Sequence, residues 1–220
     1  MSPESGPAAL VLAGGEPPAA GLLAPLLEDV GPVVAADGGL RHAAALGLAP
    51  DLIVGDLDSV TEDLLRAFPD VPVERHPRAK DELDLELALA AARRLGAASA
   101  RVLGAFGGRL DQSLANLLVA ARLATAEPPF PVTLHGGAHE ARPCAPGLTC
   151  DAAWPPGTTV SLLALGGYAV VTATGLAYPV EDLRLPFGVG LGVSNVATGG
   201  RVVVRCAAGV VAVIAEHVAA

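Results

Sequence analysis

Between Ala9 and Asp111 the chain repeats one pattern: an apolar run of strand length, then glycine, acid or both, then a helical stretch. ALVLAGG (Ala9 to Gly15) opens the series, PVVAADGG (Pro32 to Gly39) and DLIVGDLDS (Asp51 to Ser59) follow, and ARVLGAFGGRLD closes it. VPVERH (Val71 to His76) adds a strand between the last two. The intervening segments predict helices around Gly21 to Asp29, over Leu40 to Leu46 with Gly47 as the residue after the cap, and from about Thr61 to Ala67. Two more are predicted from about Glu82 to Leu95 and from about Ser113 to Thr125. Strands alternating with helices of this length imply a parallel sheet covered on both faces. In such sheets ligands bind at the carboxyl ends of the strands, where the glycine-rich and acidic loops fall.

The pattern stops at AEPPFP (Ala126 to Pro131). Beyond it there is no helical period, only short β-branched runs punctuated by Gly and Pro: VTLHGG, TTVSLLALGG, YAVVTATG, RVVVRC and GVVAVIAE. These predict an all-β sandwich or roll, with Arg201 to Ala215 as a hairpin about the Ala-Ala-Gly turn. The expected organisation is an N-terminal α/β domain with a parallel sheet over residues 1–128 and a C-terminal all-β domain over 129–220. With 52% apolar and only 3% aromatic residues, the cores must be built from Ala, Val and Leu. The net charge of −9 and the 14 unclustered basic residues exclude a nucleic-acid footprint. A small anion remains compatible, because a metal ion offsets local negative charge. No apolar run approaches bilayer length, so no membrane association is expected. The N-terminus lacks a basic n-region and three cysteines is an odd number, so reduced thiols in the cytoplasm are expected.

Each loop admits a chemical and a purely structural reading. In an extended segment Asp56 and Asp58 point to the same side and suit Mg²⁺, which takes one or two carboxylates plus substrate phosphates. The alternative is an Asp-rich turn in which Asp58 or Ser59 caps the helix near Thr61. Asp81 at an N-cap and Asp84 at N3 explain each other by capping, whereas functionally Asp84 joins the metal and Lys80 meets a phosphate. In GAFGGRLDQ, Gly107 and Gly108 let backbone N–H groups approach phosphate oxygens, Arg109 suits a bidentate clamp, and Asp111 binds metal or orients the arginine. A tight turn carrying Arg109 and Asp111 as a surface pair is the structural alternative. Neither a Walker A loop nor a dinucleotide fingerprint is present. His135, His139, Cys144 and Cys150 fit no standard zinc spacing, and His42, His76 and His217 show no partner in the sequence.

The ordered set ADGG, PDLIVGDLDS, KDELDLELAL and GAFGGRLDQSLANL resembles the thiamine pyrophosphokinase family. The family's pattern reads A-D-G-G, P-D-x-x-x-G-D-x-D-S, K-D-x-T-D-x-E-x-A-L and G-x-x-G-G-R-x-D-H/Q. GLAYPVEDLRLPFGVGLGVSN resembles its C-terminal signature, with the Ser-Asn pair at Ser194 and Asn195. Leu83 stands where the family has threonine. The resemblance implies an ATP-binding catalytic domain, a thiamine-binding and dimerisation domain, and a homodimer sharing its active sites. It implies transfer of the pyrophosphoryl group of ATP to the thiamine hydroxyl, with Asp56, Asp58 and Asp84 at Mg²⁺ and Asp111 as a further catalytic residue. Asp37, Gly38, Gly39, Lys80, Gly107, Gly108, Arg109 and Gln112 would then contact ATP, and Ser194, Asn195 and Tyr178 thiamine. The Ser-Asn pair favours thiamine over a hydroxymethylpterin. An aspartyl-phosphate phosphatase or an ATP sensor without turnover would use the same loops differently.

Overall fold

The computed structural model describes residues 6–217. The chain forms two compact units: residues up to Asn116 with Leu134–Gly137, and Leu117–Thr133 with Ala138 onward. The elements running to the end of the first unit are β1 (Ala8–Leu12), α1 (Ala20–Leu23), β2 (Val30–Ala36), α2 (Leu40–Leu46), β3 (Leu52–Gly55), α3 (Glu62–Arg66), β4 (Val73–Arg75), α4 (Asp84–Arg94), β5 (Ser99–Leu103), α5 (Leu110–Ala124) and β6 (Val132–Gly136). The sheet of this unit has the order β6-β5-β1-β2-β3-β4. From β5 to β4 every pairing is parallel.

The continuous apolar runs follow from burial on both faces. Leu10, Leu12, Val33, Ala35 and Ile53 form one core cluster with Leu40 and Ala43 of α2. The alternate residues are left to the other face, where α4 packs across β1, β2 and β3 through Leu85, Ala88, Leu89 and Ala92. Small alanines at the contact allow that helix to lie close. Gly47 closes α2 in the left-handed conformation, φ 65°. Thr61 caps α3, its hydroxyl accepting from the Leu64 N–H at 3.3 Å.

Three helix expectations are corrected. The segment from Gly21 to Asp29 makes only the single turn α1 and a 3₁₀ turn over Ala24–Leu26, with Pro25 at its start. α5 begins at Leu110, not Ser113, because the Arg109 carbonyl already accepts the Ser113 N–H at 3.1 Å. The N-cap of α4 is Leu83, so Asp81 lies outside the helix and Asp84 is its first residue rather than N3.

The second unit carries β7 (His139–Cys144), β8 (Thr149–Trp154), β9 (Thr159–Ala164), β10 (Tyr168–Thr174), β11 (Val180–Pro186), β12 (Asn195–Val196), β13 (Gly200–Ala208) and β14 (Val211–Glu216). One antiparallel sheet runs β12-β9-β14-β7 and another β11-β10-β13-β8. Their facing residues form one core: Cys144, Val160, Leu162, Val211 and Val213 from the first, Trp154, Val171, Leu185, Val202 and Val204 from the second. This period-2 burial is what a sandwich requires.

The expected hairpin over Arg201 to Ala215 does not form. β13 pairs with β10 and β8, and β14 pairs with β7 and β9. The chain leaves one sheet for the other at Gly209 (φ 74°), where a Cβ would lie 2.0 Å from the Tyr168 carbonyl oxygen. The histidines are also partnered: His42 with the Gly15 carbonyl at 2.9 Å, His76 with Glu74 at 2.9 Å and His217 with Glu140 at 3.4 Å. No described helix is long and apolar enough to cross a membrane.

Candidate active site

The loops at the carboxyl ends of β1, β2, β3 and β5 converge with the segment before α4 on one cleft of about 320 Å³ in the first unit. Gly14 and Gly15 come from β1, Asp37 and Gly38 from β2, Asp56 and Ser59 from β3, and Gly104, Ala105 and Gly107 from β5. Arg78, Lys80, Glu82, Leu83 and Asp84 form another wall, and Gln112, Ser113 and Asn116 of α5 complete it. A parallel sheet sends every strand's carboxyl end to the same edge, so the sequence's separate loops become one site.

Carboxylate oxygens of Asp37, Asp56 and Asp58 all lie within 4.8 Å of one another. Strand alternation is not what unites Asp56 with Asp58. β3 ends at Gly55, Leu57 adopts φ 63°, and its side chain is buried in the core. The turn folds back so that the Asp58 N–H donates to Asp56 Oδ1 at 3.2 Å. Asp37, at φ 42°, enters the group from the next loop. Left-handed backbone at a non-glycine residue is unfavourable, and Asp37 and Leu57 place two such residues at this one group. Asp37 is followed by a 3₁₀ turn in which Gly39 passes over the end of β1; a Cβ there would sit 1.9 Å from the Leu12 carbonyl oxygen. Asp37 Oδ1 is buried and has no hydrogen-bond partner.

Three converging carboxylates with one buried, unpartnered oxygen match the donor set of a hard divalent cation. Asp84, expected beside Asp56 and Asp58, lines the same cleft and holds Lys80 Nζ at 2.8 Å, a one-turn pairing made possible by its place at the start of α4. Burial works against the Lys80 ammonium, whose side chain is only 11% exposed. The hydrogen bond to Asp84 and the charges of Asp84, Asp56 and Asp37 outweigh it and raise the pKa. Lys80 is therefore a permanent cation inside the field of the carboxylate group.

α2 braces the β1 loop. Arg41 donates to the carbonyl oxygens of Gly14 and, at 3.3 Å, Gly15. His42 bonds the same Gly15 oxygen, and burial lowers its pKa, so the neutral ring donates through Nε2. Asn116, buried on α5, donates to the Ala105 carbonyl at 2.8 Å and fixes the β5 loop. Arg109 and Asp111 form an exposed bidentate pair at 3.1 and 2.5 Å, which raises the pKa of the first and lowers that of the second. Neither lines the cleft, nor do Gly39 and Gly108, whereas Asp37, Gly38, Lys80, Gly107 and Gln112 do.

Arg41, Arg78 and Asn116 are cleft residues that sequence reasoning missed. Asn116 carried a signal, since it lies one helical turn beyond Gln112 on α5.

The remaining expected site residues belong to the second unit. Asn195 is buried, its Oδ1 accepting from the N–H groups of Tyr178 at 3.0 Å and Val196 at 2.9 Å, while Nδ2 donates to the Tyr178 carbonyl at 2.9 Å. Ser194 is exposed at φ 64°, its N–H donating to Ser161 Oγ at 3.1 Å. Tyr178 is exposed, so Asn195 holds its backbone and leaves its ring outside.

Comparison with known proteins gives a consistent result. A family model described as thiamin pyrophosphokinase, catalytic domain, matches residues 23–130. A second, described as thiamin pyrophosphokinase, vitamin B1 binding domain, matches residues 150–211. A search of curated proteins gives no match. Among solved structures, thiamine pyrophosphokinase from Bacillus subtilis is similar with TM-score 0.81 at 22% identity, over 96% of this chain and 99% of that one. Thiamin pyrophosphokinase from Geobacillus thermodenitrificans reaches 0.79 at 26% identity, over 96% and 99%. That from Candida albicans reaches 0.79 at 16%, over 96% and 90%.

Proposed function

The chain belongs to the thiamin pyrophosphokinase family, and from that premise we propose how its residues divide the transfer of a pyrophosphoryl group from ATP to the hydroxyl of thiamine, giving thiamine diphosphate and AMP. Residues 1–128 form the ATP-binding catalytic part in this reading, and 129–220 the thiamine-binding and dimerisation part. The observation that carries the assignment is the group of Asp37, Asp56 and Asp58 with its buried, unpartnered Asp37 oxygen.

Those three aspartates hold Mg²⁺, with Asp84 adjoining through Lys80. The ion, when bound, neutralises phosphate charge and fixes the phosphates in orientation. Lys80, buried and permanently charged, faces phosphate oxygens. Gly14, Gly15, Gly38 and Gly107 admit the polyphosphate close to the backbone, helped by the positive end of α5 at Gln112. Arg109, released from Asp111, is a further phosphate contact. The hydroxyl of thiamine must meet the β-phosphorus in line with the departing AMP oxygen, so positioning supplies much of the rate. Its proton passes to a carboxylate among Asp56, Asp58, Asp84 and Asp111.

Ser194 and Tyr178 present thiamine's site, the hydroxyl for hydrogen bonding and the ring for stacking on a cationic substrate. Asn195 contributes its remaining N–H and fixes both neighbours. Phe187, Val189, Leu191 and Val193, each about half exposed or more, precede them directly. An apolar run of this kind on a surface supports a homodimer in which the active site is shared. The three free cysteines support a cytoplasmic setting.

The test is AMP release with ATP, Mg²⁺ and thiamine. AMP should appear only when thiamine is present; wild-type protein without thiamine-dependent AMP would remove the assignment.

A further inference from the structure

We infer that Arg78 receives the phosphate oxygens of the transferred pyrophosphoryl group, and that it does so by leaving Asp58; this rests on the pyrophosphokinase reading above. Three cations line the cleft: Arg41, Arg78 and Lys80. Two already make close hydrogen bonds within the protein. Lys80 is held by Asp84 at 2.8 Å, and Arg41 is bonded to the Gly14 and Gly15 carbonyls.

Arg78 differs. Its one polar contact among the described residues is Nε to Asp58 Oδ2 at 3.5 Å, and its side chain is 84% exposed. Other arginine–carboxylate pairs close to 2.5 Å at Arg66–Asp63, Arg94–Glu74 and Arg109–Asp111. The long contact through Nε leaves the two terminal nitrogens of Arg78 unengaged. An exposed pair at that distance contributes little to stability, so the fold does not explain why a guanidinium stands here.

The chemistry of the cleft does. A polyphosphate entering it meets Asp37, Asp56, Glu82 and Asp84, all repulsive. A guanidinium fork matches two phosphate oxygens at once, which an ammonium cannot do. Asp58 also belongs to the aspartate group suited to a divalent cation. Once its charge is neutralised by that cation, its hold on Arg78 weakens. The arrival of a cation with its polyphosphate thus frees Arg78 at the moment its partner appears. The ligand is the pair of outer phosphates, not the adenosine or the first phosphate.

Arg78→Ala and Arg78→Lys, in the full chain, test this. The probes are an ATP analogue with a methylene between the first and second phosphates, which blocks transfer, and AMP, which lacks the outer phosphates. Both are titrated calorimetrically at saturating Mg²⁺ without thiamine. Arg78→Ala should weaken analogue binding by about ten-fold or more, Arg78→Lys by less, with AMP binding and thermal midpoint unchanged. KM for ATP should rise in parallel while KM for thiamine stays fixed. Unchanged analogue affinity overturns the inference, as does an equal loss of AMP affinity. A shift confined to the Mg²⁺ midpoint also overturns it, because Arg78 would then merely balance Asp58. If wild-type protein releases no thiamine-dependent AMP, the reaction assignment fails, while the calorimetric comparison still reads the phosphate contact.

Discussion

Asp37 and Glu140 are both carboxylates set into folded structure, one in each unit, and their surroundings are opposite. Glu140 is 6% exposed and surrounded by donors: Arg142 Nε, Trp154 Nε1 at 3.2 Å and His217 Nε2 at 3.4 Å. Asp37 has an oxygen with no partner and two further carboxylates within 4.8 Å. A buried polar group left unsatisfied is unfavourable, and like charges side by side add to that. The first unit leaves the Asp37 oxygen open where a ligand would complete it, and the second surrounds Glu140 with donors, leaving the far ring nitrogen of His217, Nδ1, buried without a partner. Stability and function are therefore expected to respond to different residues.

The sharpest way to break this contrast is Glu140→Ala. Removing the carboxylate leaves Arg142, which is partly buried, without its counter-charge, and the unfolding free energy should fall by about 3 kcal/mol in a urea titration. A loss below about 1 kcal/mol would mean that Glu140 is no better integrated than a surface ion pair. Asp56→Asn probes the other side. Turnover should drop roughly a hundred- to thousand-fold, while the thermal midpoint holds or rises as repulsion within the group is relieved. A variant that unfolds instead would make Asp56 a structural residue like Glu140.

Leu83→Thr refines the comparison at a helix end. Glu86 Oε1 reaches back to the Leu83 N–H at 3.5 Å, which is half of a capping box, but leucine has no oxygen to supply the other half. Threonine should stabilise α4 by about 1 kcal/mol and raise the thermal midpoint by roughly 2–4 °C. An unchanged or lowered midpoint would show that the packing of Leu83 outweighs the missing cap. The last prediction concerns pH. Burial pushes the Cys150 thiol up to about 12. A folded pKa raised above the unfolded value leaves stability flat below about pH 9 and lowers it as pH rises from there toward 12. Cys150→Ala should flatten that alkaline slope in pH-dependent denaturation, and an unaltered slope would assign it elsewhere.

The sheet of the first unit was legible because its strands are buried on both faces and punctuated by glycine, which leaves a strong local signal. The sandwich was only partly legible. β7 contains Pro143, and β11 opens on Val180-Glu181-Asp182, so neither resembles the β-branched runs that announced β9 and β10. The pairing of β13 and β14 was misread because nearness in sequence predicts a hairpin, whereas the apolar faces of both strands are needed in different sheets. Within the site, the two aspartates of DLIVGDLDS were visible and their geometry was not. The left-handed turn at Leu57 is imposed by the core beneath it, which no local pattern reports. Asp37 as their neighbour depends on β2 lying beside β3, a fact of sheet order. Asp84 is expected in the group from its place at a helix N-terminus and from the family resemblance; its ion pair with Lys80, one turn away, is a tertiary detail that the sequence does not report.

Leu57 has one further consequence. It stands between two aspartates of the ligand-facing group and is itself 6% exposed, so opening that loop means withdrawing an apolar side chain from the core of the first unit. In the proposed metal reading, cation affinity and local unfolding are then the same equilibrium seen from two ends. Loading the site should slow amide hydrogen exchange across residues 56–58, and a loosened core around Ile53 should weaken cation binding without touching a carboxylate.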